Sequence, residues 1–379
     1  MASRSWDIFC SVVDNYGDIG VCWRLARQLA DEHAQSVRMW VSDLESFHRL
    51  CHAVDPAHAV QRVGALEVCR WSEPFAEAAP ADIVIEGFGA RLPESFVKAM
   101  AARSPRPVWI NLEYLSAEEW VDTRHGLPSP HPRLPLVKYF FFPGFSAATG
   151  GLLVERNLAV RRDEFQRDAA AMAEFCHALK IVPPAAGTPR VSLFCYDNEA
   201  LPALVRAWRS GSTPILCIVP EGTALAQISS VIGRPVTAGS RVELDRLTIA
   251  AIPFLELDDY DRLLWMCDVN FVRGEDSFVR AQLAARPFIW QAYPQDERAH
   301  LRKAEAFIER YVHGLDTGAR TAWREIMEGW NRQSADVGRA WPALVAQRTV
   351  LASHAADWAT RITAGRNLAA ALADFCEHL

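Results

Sequence analysis

The chain has 379 residues, half of them hydrophobic and 23 % charged, with a formal net charge of −6. That length suits two α/β domains, and an acidic balance without a basic, aromatic-interleaved run argues against a nucleic-acid backbone as partner. No apolar run reaches the ~18 residues of a membrane helix, Met1–Trp6 lacks the apolar segment of a signal peptide, and nine scattered cysteines without a C-x-x-C pair argue for a reducing cytoplasm and against structural zinc.

Trp6–Val13 reads as a buried strand running into Asp14-Asn15-Tyr16-Gly17-Asp18-Ile19-Gly20, a turn-rich loop. Val21–His33 follows with Val21, Cys22, Leu25, Ala26 and Leu29 at helical spacing. Doubly wound folds place ligands at such a strand–loop–helix junction. The loop fits neither G-x-G-x-x-G nor G-x-x-x-x-G-K-[ST], and offers instead two carboxylates four residues apart, Asp14 and Asp18. Each alone caps a turn or helix more often than it catalyses, and both readings stay open. Val37–Val41, Asp82–Glu86, Val108–Leu112 and Val137–Phe142 read as further strands, with helices at Leu44–Cys51 and Pro93–Ala102, so a mostly parallel sheet is expected. Glu113 and Tyr114 follow one strand at the edge where ligands bind. His125 and His131 flank a Pro-rich loop without a third residue at metal spacing, so they read as loop histidines.

Arg161–Leu179 reads as one charged amphipathic helix, and Pro183–Pro189 as the linker. Alternation then restarts: strands at Arg190–Cys195, Pro214–Val219 and Leu247–Pro253, helices at Asn198–Arg209, Thr223–Ile232 and Asp258–Cys267. Next comes Asp268–Pro294. A short apolar run ends at Arg273, Gly274 permits a tight turn, Asp276 or Ser277 caps a helix, and Phe288-Ile289-Trp290 begins another strand. Such a helix N-terminus suits phosphate, so the Glu275 carboxylate at its mouth calls for a second purpose. The plain alternative is an ordinary βαβ unit with Glu275 and Asp276 as first-turn acids. Beyond Pro294 the pattern is helical, ending in an amphipathic stretch at Asp357–His378.

Two Rossmann-like halves facing across a cleft look like a GT-B glycosyltransferase. Trp6–Val21, Asn111–Ser116, His125–Ser129, Phe140–Phe145 and Arg273-Gly274-Glu275-Asp276-Ser277 together resemble the protein-arginine rhamnosyltransferases of bacterial translation elongation factor P, the EarP family. The resemblance implies an α/β GT-B fold with an acceptor domain at residues 1–156, joined by a returning C-terminal helix at about 360–379. A connecting helix and Pro-rich linker would occupy 157–189, and a nucleotide-sugar domain 190–359. It implies an inverting, metal-independent transfer of L-rhamnose from dTDP-β-L-rhamnose to an arginine of elongation factor P, with no cofactor. By motif, its essential acids fall on Asp14, Asp18 and Glu275. Donor contacts would come from Asn15, Tyr16, Gly17, Tyr196, Phe254, Leu255, Leu257 and Tyr260, with Phe254 and Tyr260 flanking thymine, and from Arg273, Gly274, Asp276 and Ser277 at the diphosphate. Leu257 stands where a more polar residue is expected. Glu113 and Tyr114 would lie on the acceptor side. The D-x-D at Asp259-Tyr260-Asp261 sits at a predicted helix start, where acids complement the dipole. Two rivals remain: a GT-B transferase using another nucleotide sugar on a small acceptor, and a non-catalytic nucleotide-binding regulatory module.

Overall fold

The computed structural model describes residues 4–12 and 16–379, with only the backbone at residue 296. It divides into two compact units, Met1–Arg156 with Ile362–Leu379, and Asn157–Arg361.

The first unit runs β1 (Ser5–Cys10), α1 (Gly17–His33), β2 (Ser36–Val41), α2 (Leu44–Leu50), β3 (Val60–Val63), β4 (Leu66–Arg70), β5 (Ile83–Gly87), α3 (Glu94–Ala102), β6 (Val108–Leu112), α4 (Trp120–Arg124), β7 (Pro128–Pro130) and β8 (Val137–Phe141). The spatial order is β3-β4-β2-β1-β5-β6-β8-β7. Pairing is parallel throughout the middle and antiparallel only in the edge pairs β3–β4 and β7–β8. Central strands covered on both faces read as apolar runs, which is why they are visible in sequence. The short strands β3 and β7 are largely exposed and carry no such signal.

One polar group sits deep in this sheet. Asp7 is fully buried in β1, where it accepts from Arg38 Nε and Nη2 at 2.6 and 3.0 Å, Trp40 Nε1 at 3.0 Å and the Ala81 N–H at 2.9 Å. Those four donors compensate a charge that would otherwise be costly to desolvate. Around it Phe9 packs on Phe96 at 4.9 Å and on Trp40 at 5.7 Å, in a core that includes Trp109 and Met100.

The second unit contains α5 (Leu158–Arg167), α6 (Ala169–Ala178), β9 (Arg190–Leu193), α7 (Leu201–Ser210), β10 (Ile215–Pro220), α8 (Thr223–Ile232), β11 (Arg241–Leu244), β12 (Leu247–Ile252), α9 (Leu257–Met266), β13 (Val269–Arg273), α10 (Asp276–Leu283) and β14 (Phe288–Gln291). A single 3₁₀ turn precedes α11 (Ala299–Tyr311), α12 (Thr317–Asn331), α13 (Asp336–Ala346) and α14 (Arg348–Thr363). Its sheet has the order β11-β12-β10-β9-β13-β14, parallel except for β11–β12. The expected single helix over Arg161–Leu179 is two. Asp168 ends α5 and caps α6, its carboxylate accepting from the N–H groups of Ala170 and Ala171 at 2.9 and 3.0 Å.

The last stretch is also broken where periodicity predicts one helix. After α14, Leu152 N–H donates to the Arg366 carbonyl at 3.1 Å and Leu368 N–H to the Leu152 carbonyl at 2.8 Å, a backbone clasp. Asn367 then caps α15 (Leu368–Glu377), accepting from the Ala370 N–H at 3.1 Å. The buried face of α15, Leu368, Leu372 and Cys376, belongs to the first unit, where the helix packs on α1.

Candidate active site

In an open parallel sheet, ligands gather at the carboxyl ends of strands where the winding direction reverses. In the second unit that point lies between β9 and β13. The loop after β9 carries Phe194 and Tyr196, and the turn after β13 carries Gly274 and Glu275. Gly274 has φ +65°, left-handed backbone that only glycine adopts without cost. Side-chain contacts help hold this turn. The Trp290 indole donates to the Gly274 carbonyl at 2.8 Å, the Arg273 N–H donates to Ser277 Oγ at 3.1 Å, and that hydroxyl donates to the Arg273 carbonyl. The Ser277 hydroxyl is therefore committed to closing the turn, so its service to a ligand would come through its backbone N–H at the start of α10.

The Arg273 side chain is buried and held flat. Its guanidinium carbon lies 4.5 Å from the Phe194 ring centroid and 4.4 Å from that of Tyr196, and Nη1 donates to the Cys195 carbonyl at 3.4 Å. Cation–π contacts on two rings fix a planar cation beside a helix N-terminus, which is a phosphate-binding arrangement. Burial pushes the neighbouring Cys195 thiol up to about 12, against the pull of Arg273, so it stays protonated. Phe194 also meets Tyr260 edge-on at 5.5 Å, and Tyr293 meets Tyr196 at 5.4 Å. Tyr260 is buried and its phenol is raised far above its ordinary value by desolvation. Phe254 is half-buried, whereas Leu255 and Leu257 are buried, on the chain leaving β12 and entering α9. Sheet geometry thus brings Tyr196, Tyr260 and Arg273–Ser277 together.

Glu275, not the expected Asp276 or Ser277, stands at the N-cap position of α10, and it makes no capping hydrogen bond. Its carboxylate instead takes Lys303 Nζ of α11 at 2.6 Å. Among the described residues no three His, Cys, Asp or Glu side chains gather as metal ligands would. Within the D-x-D, Asp261 is buried in a bidentate pair with Arg280 at 2.9 and 2.6 Å, and Asp259 pairs with Arg262 at 3.0 Å.

In the first unit the winding reverses between β1 and β5. The predicted Asp14 and Asn15 lie outside the described residues. Helix α1 begins at Gly17, with Tyr16 as its N-cap, rather than at the expected Val21. Asp18 is consequently a first-turn residue of α1, 1 % exposed. The Cys10 thiol is raised well above its ordinary value, by its hydrogen bond to Cys22 first, then by burial, and least by the negative charge of Asp18. Gly87 explains the tight fit: a Cβ there would lie 2.9 Å from the Phe9 carbonyl and 3.0 Å from Cys22 Sγ. The next residue, Phe88, has φ +54°, a strained conformation for a bulky side chain, and its ring stacks on Tyr114 at 4.6 Å and 17°. Glu113 accepts from Asn111 Nδ2. His125 is half-buried, taking the Phe142 N–H on Nδ1 at 3.1 Å, and His131 accepts from the Arg133 and Leu134 N–H groups. Both histidines hold loops.

Several neighbours carry no local sequence signal. Phe194 could have been paired with Tyr196 by strand alternation. Lys303 lies 28 residues beyond Glu275 on a separate helix, and Phe88 stacks across adjacent strand ends.

The fold is that of a GT-B glycosyltransferase: a glycosyltransferase structure from Rickettsia africae aligns over 100 % of this chain and 98 % of its own, with a TM-score of 0.54 at 9 % identity. The sequence narrows the class. Residues 6–377 match the family described as elongation factor P (EF-P) rhamnosyltransferase EarP, and the chain belongs to that family. A protein-arginine rhamnosyltransferase from Pseudomonas putida is 47 % identical over 374 residues, 98 % of each chain. A solved structure reported as the basis for EarP-mediated arginine glycosylation of EF-P is 35 % identical, covering 99 % of both chains with a TM-score of 0.72.

Proposed function

We propose that the protein transfers L-rhamnose from dTDP-β-L-rhamnose to an arginine side chain of elongation factor P, inverting the anomeric carbon, in the cytoplasm and without a metal or other cofactor. The observation that carries the reading is the whole-length EarP match, residues 6–377, joined to a phosphate-type turn at a topological switch point. The nine free cysteines suit a reducing compartment.

The acceptor guanidinium is a poor nucleophile because its lone pairs are delocalised. Carboxylates grip it by paired hydrogen bonds and aim one nitrogen at the sugar. Deprotonating it beforehand is out of reach: a carboxylate near pKa ~4 facing a group near ~13 leaves about nine units, or roughly 12 kcal/mol. In the proposed step the nitrogen bonds to the anomeric carbon as the bond to the diphosphate oxygen breaks. The displaced proton passes to Asp18, with Asp14 as orienting partner, and dTDP leaves. A single displacement gives inversion without a covalent sugar–enzyme intermediate. The departing diphosphate gains negative charge, which Arg273 and the first N–H groups of α10 are suited to stabilise. Phe254 and Tyr260 are assigned to thymine and Glu113 and Tyr114 to the acceptor.

Intact mass spectrometry of elongation factor P incubated with the protein and dTDP-rhamnose tests this. One added deoxyhexose, mapped to arginine, is expected. An unmodified factor with turnover of a small acceptor would replace the proposal by the rival transferase.

A further inference from the structure

A carboxylate at the mouth of a phosphate-binding turn is electrostatically misplaced, since it repels the ligand that the helix N-terminus attracts. Glu275 occupies that position, and it is not spent on capping α10. Its partner is Lys303, at 2.6 Å, and both side chains are largely shielded, 18 % exposed for Lys303 and 13 % for Glu275. The pair is delivered by packing. Lys303 and Phe307 are four residues apart and share one face of α11. Phe307 packs on Phe278 of α10 at 4.7 Å and on Trp290 at 6.0 Å, while Phe278 and Trp290 stack on each other at 3.9 Å. The same Trp290 pins the Gly274 carbonyl. One aromatic cluster therefore sets the turn and the helix bearing the cation in a common frame.

Composition adds a second observation. Only four of the 40 basic residues are lysines, so a lysine here stands out against an arginine-rich background. An ammonium is a compact point charge. It neutralises one carboxylate oxygen without presenting the planar fork by which a guanidinium grips carboxylates and phosphates in pairs.

We propose that Lys303 is a positioning residue of the transfer reaction: it neutralises Glu275 and holds its carboxylate in place at the diphosphate turn. The inference rests on the rhamnosyl-transfer reading above and extends it to a residue outside the resembling motifs. With the pair intact, a diphosphate meets the Arg273 guanidinium and the α10 N-terminus without net repulsion from Glu275, whose other oxygen is left for sugar hydroxyls or the incoming guanidinium.

The test compares Lys303→Met, Lys303→Gln, Lys303→Arg, Glu275→Gln and the double variant Lys303→Met/Glu275→Gln with the wild type. Readouts are steady-state transfer to elongation factor P, dTDP affinity and melting temperature. Removing the cation is expected to lower kcat/KM about tenfold or more and to weaken dTDP binding, with Lys303→Arg recovering most of the loss. The double variant is expected to be no slower than Glu275→Gln alone, because Lys303 acts through Glu275. Wild-type transfer combined with unchanged kinetics in both Lys303 removals, or with losses that simply add in the double variant, overturns the inference alone. A wild type that transfers no rhamnose overturns the underlying reading and the inference with it.

Discussion

Asp18 and Arg273 illustrate two ways a residue can be prepared for chemistry. Asp18 is placed by the backbone: α1 starts four residues earlier than apolar periodicity indicates, which moves the carboxylate from a loop into a buried first turn. Exchanging it for asparagine keeps the shape and removes the proposed proton acceptor. Asp18→Asn is therefore expected to lower kcat by about 10²–10⁴-fold while leaving dTDP affinity near wild type, measured by single-turnover transfer and calorimetry. Retained turnover would remove Asp18 from the proton-transfer role. Arg273 is placed by side chains, between Phe194 and Tyr196. Arg273→Lys keeps the charge and loses the stacked plane, so dTDP affinity should fall about tenfold to a hundredfold in a calorimetric titration. An unchanged affinity would mean that the guanidinium serves packing alone. The turn itself was legible, because a glycine between an apolar strand end and a polar helix start has few readings, although the cap fell on Glu275 rather than on Asp276 or Ser277. Its supports were not: Phe194 contacts Arg273 across neighbouring strands, and Lys303 arrives on another helix.

Among the elements, strand cores proved more legible than ends. Parallel strands buried on both faces advertise themselves as apolar runs, whereas helix breaks are set by single polar side chains that also fit a helical surface. Asp168 and Asn367 are such residues, each accepting backbone N–H groups where periodicity continues unbroken. A related acid joins the amino ends of β1 and β5. Asp82 accepts the Ser5 N–H at 2.9 Å and the Ser5 hydroxyl at 2.7 Å and pairs with Arg103, which follows α3. The Ser5 N–H foremost, and Arg103 with it, hold this carboxyl at about 2, below its ordinary 3.8. Because the folded value is depressed, the stabilisation is complete above about pH 4 and is lost as pH falls toward 2. Asp82→Asn should thus melt below wild type at neutral pH, and the gap should narrow between about pH 4 and pH 2. A constant gap across that range would assign the loss to altered hydrogen bonding rather than to charge.

The order of strands across a sheet belongs to the whole molecule and is only weakly written in local pattern. Alternating strands and helices indicate parallel sheets, but the positions of the reversals, between β1 and β5 and between β9 and β13, emerge only from the assembled order. The same holds for the C-terminal helix. Its amphipathic repeat shows that α15 must bury a face, and only the Leu152 clasp and the contact with α1 identify the first unit as its partner. Leu368 and Leu372 are almost wholly buried there, with relative exposures of 1 % and 0 %. Each buried leucine contributes about 1.5–3 kcal/mol, so losing both approaches the ~5 kcal/mol at the lower end of domain stability. Removing residues 367–379 should therefore loosen the first unit selectively. Hydrogen exchange is expected to accelerate at amides of β1, β5 and α1 while β9, β10 and β13 stay protected. Because α1 carries Asp18, transfer activity should fall further than dTDP binding, which is assigned to the second unit. Equal deprotection of both sheets would mean that α15 supports the molecule as a single cooperative body, and the separation of roles between the two units would have to be abandoned.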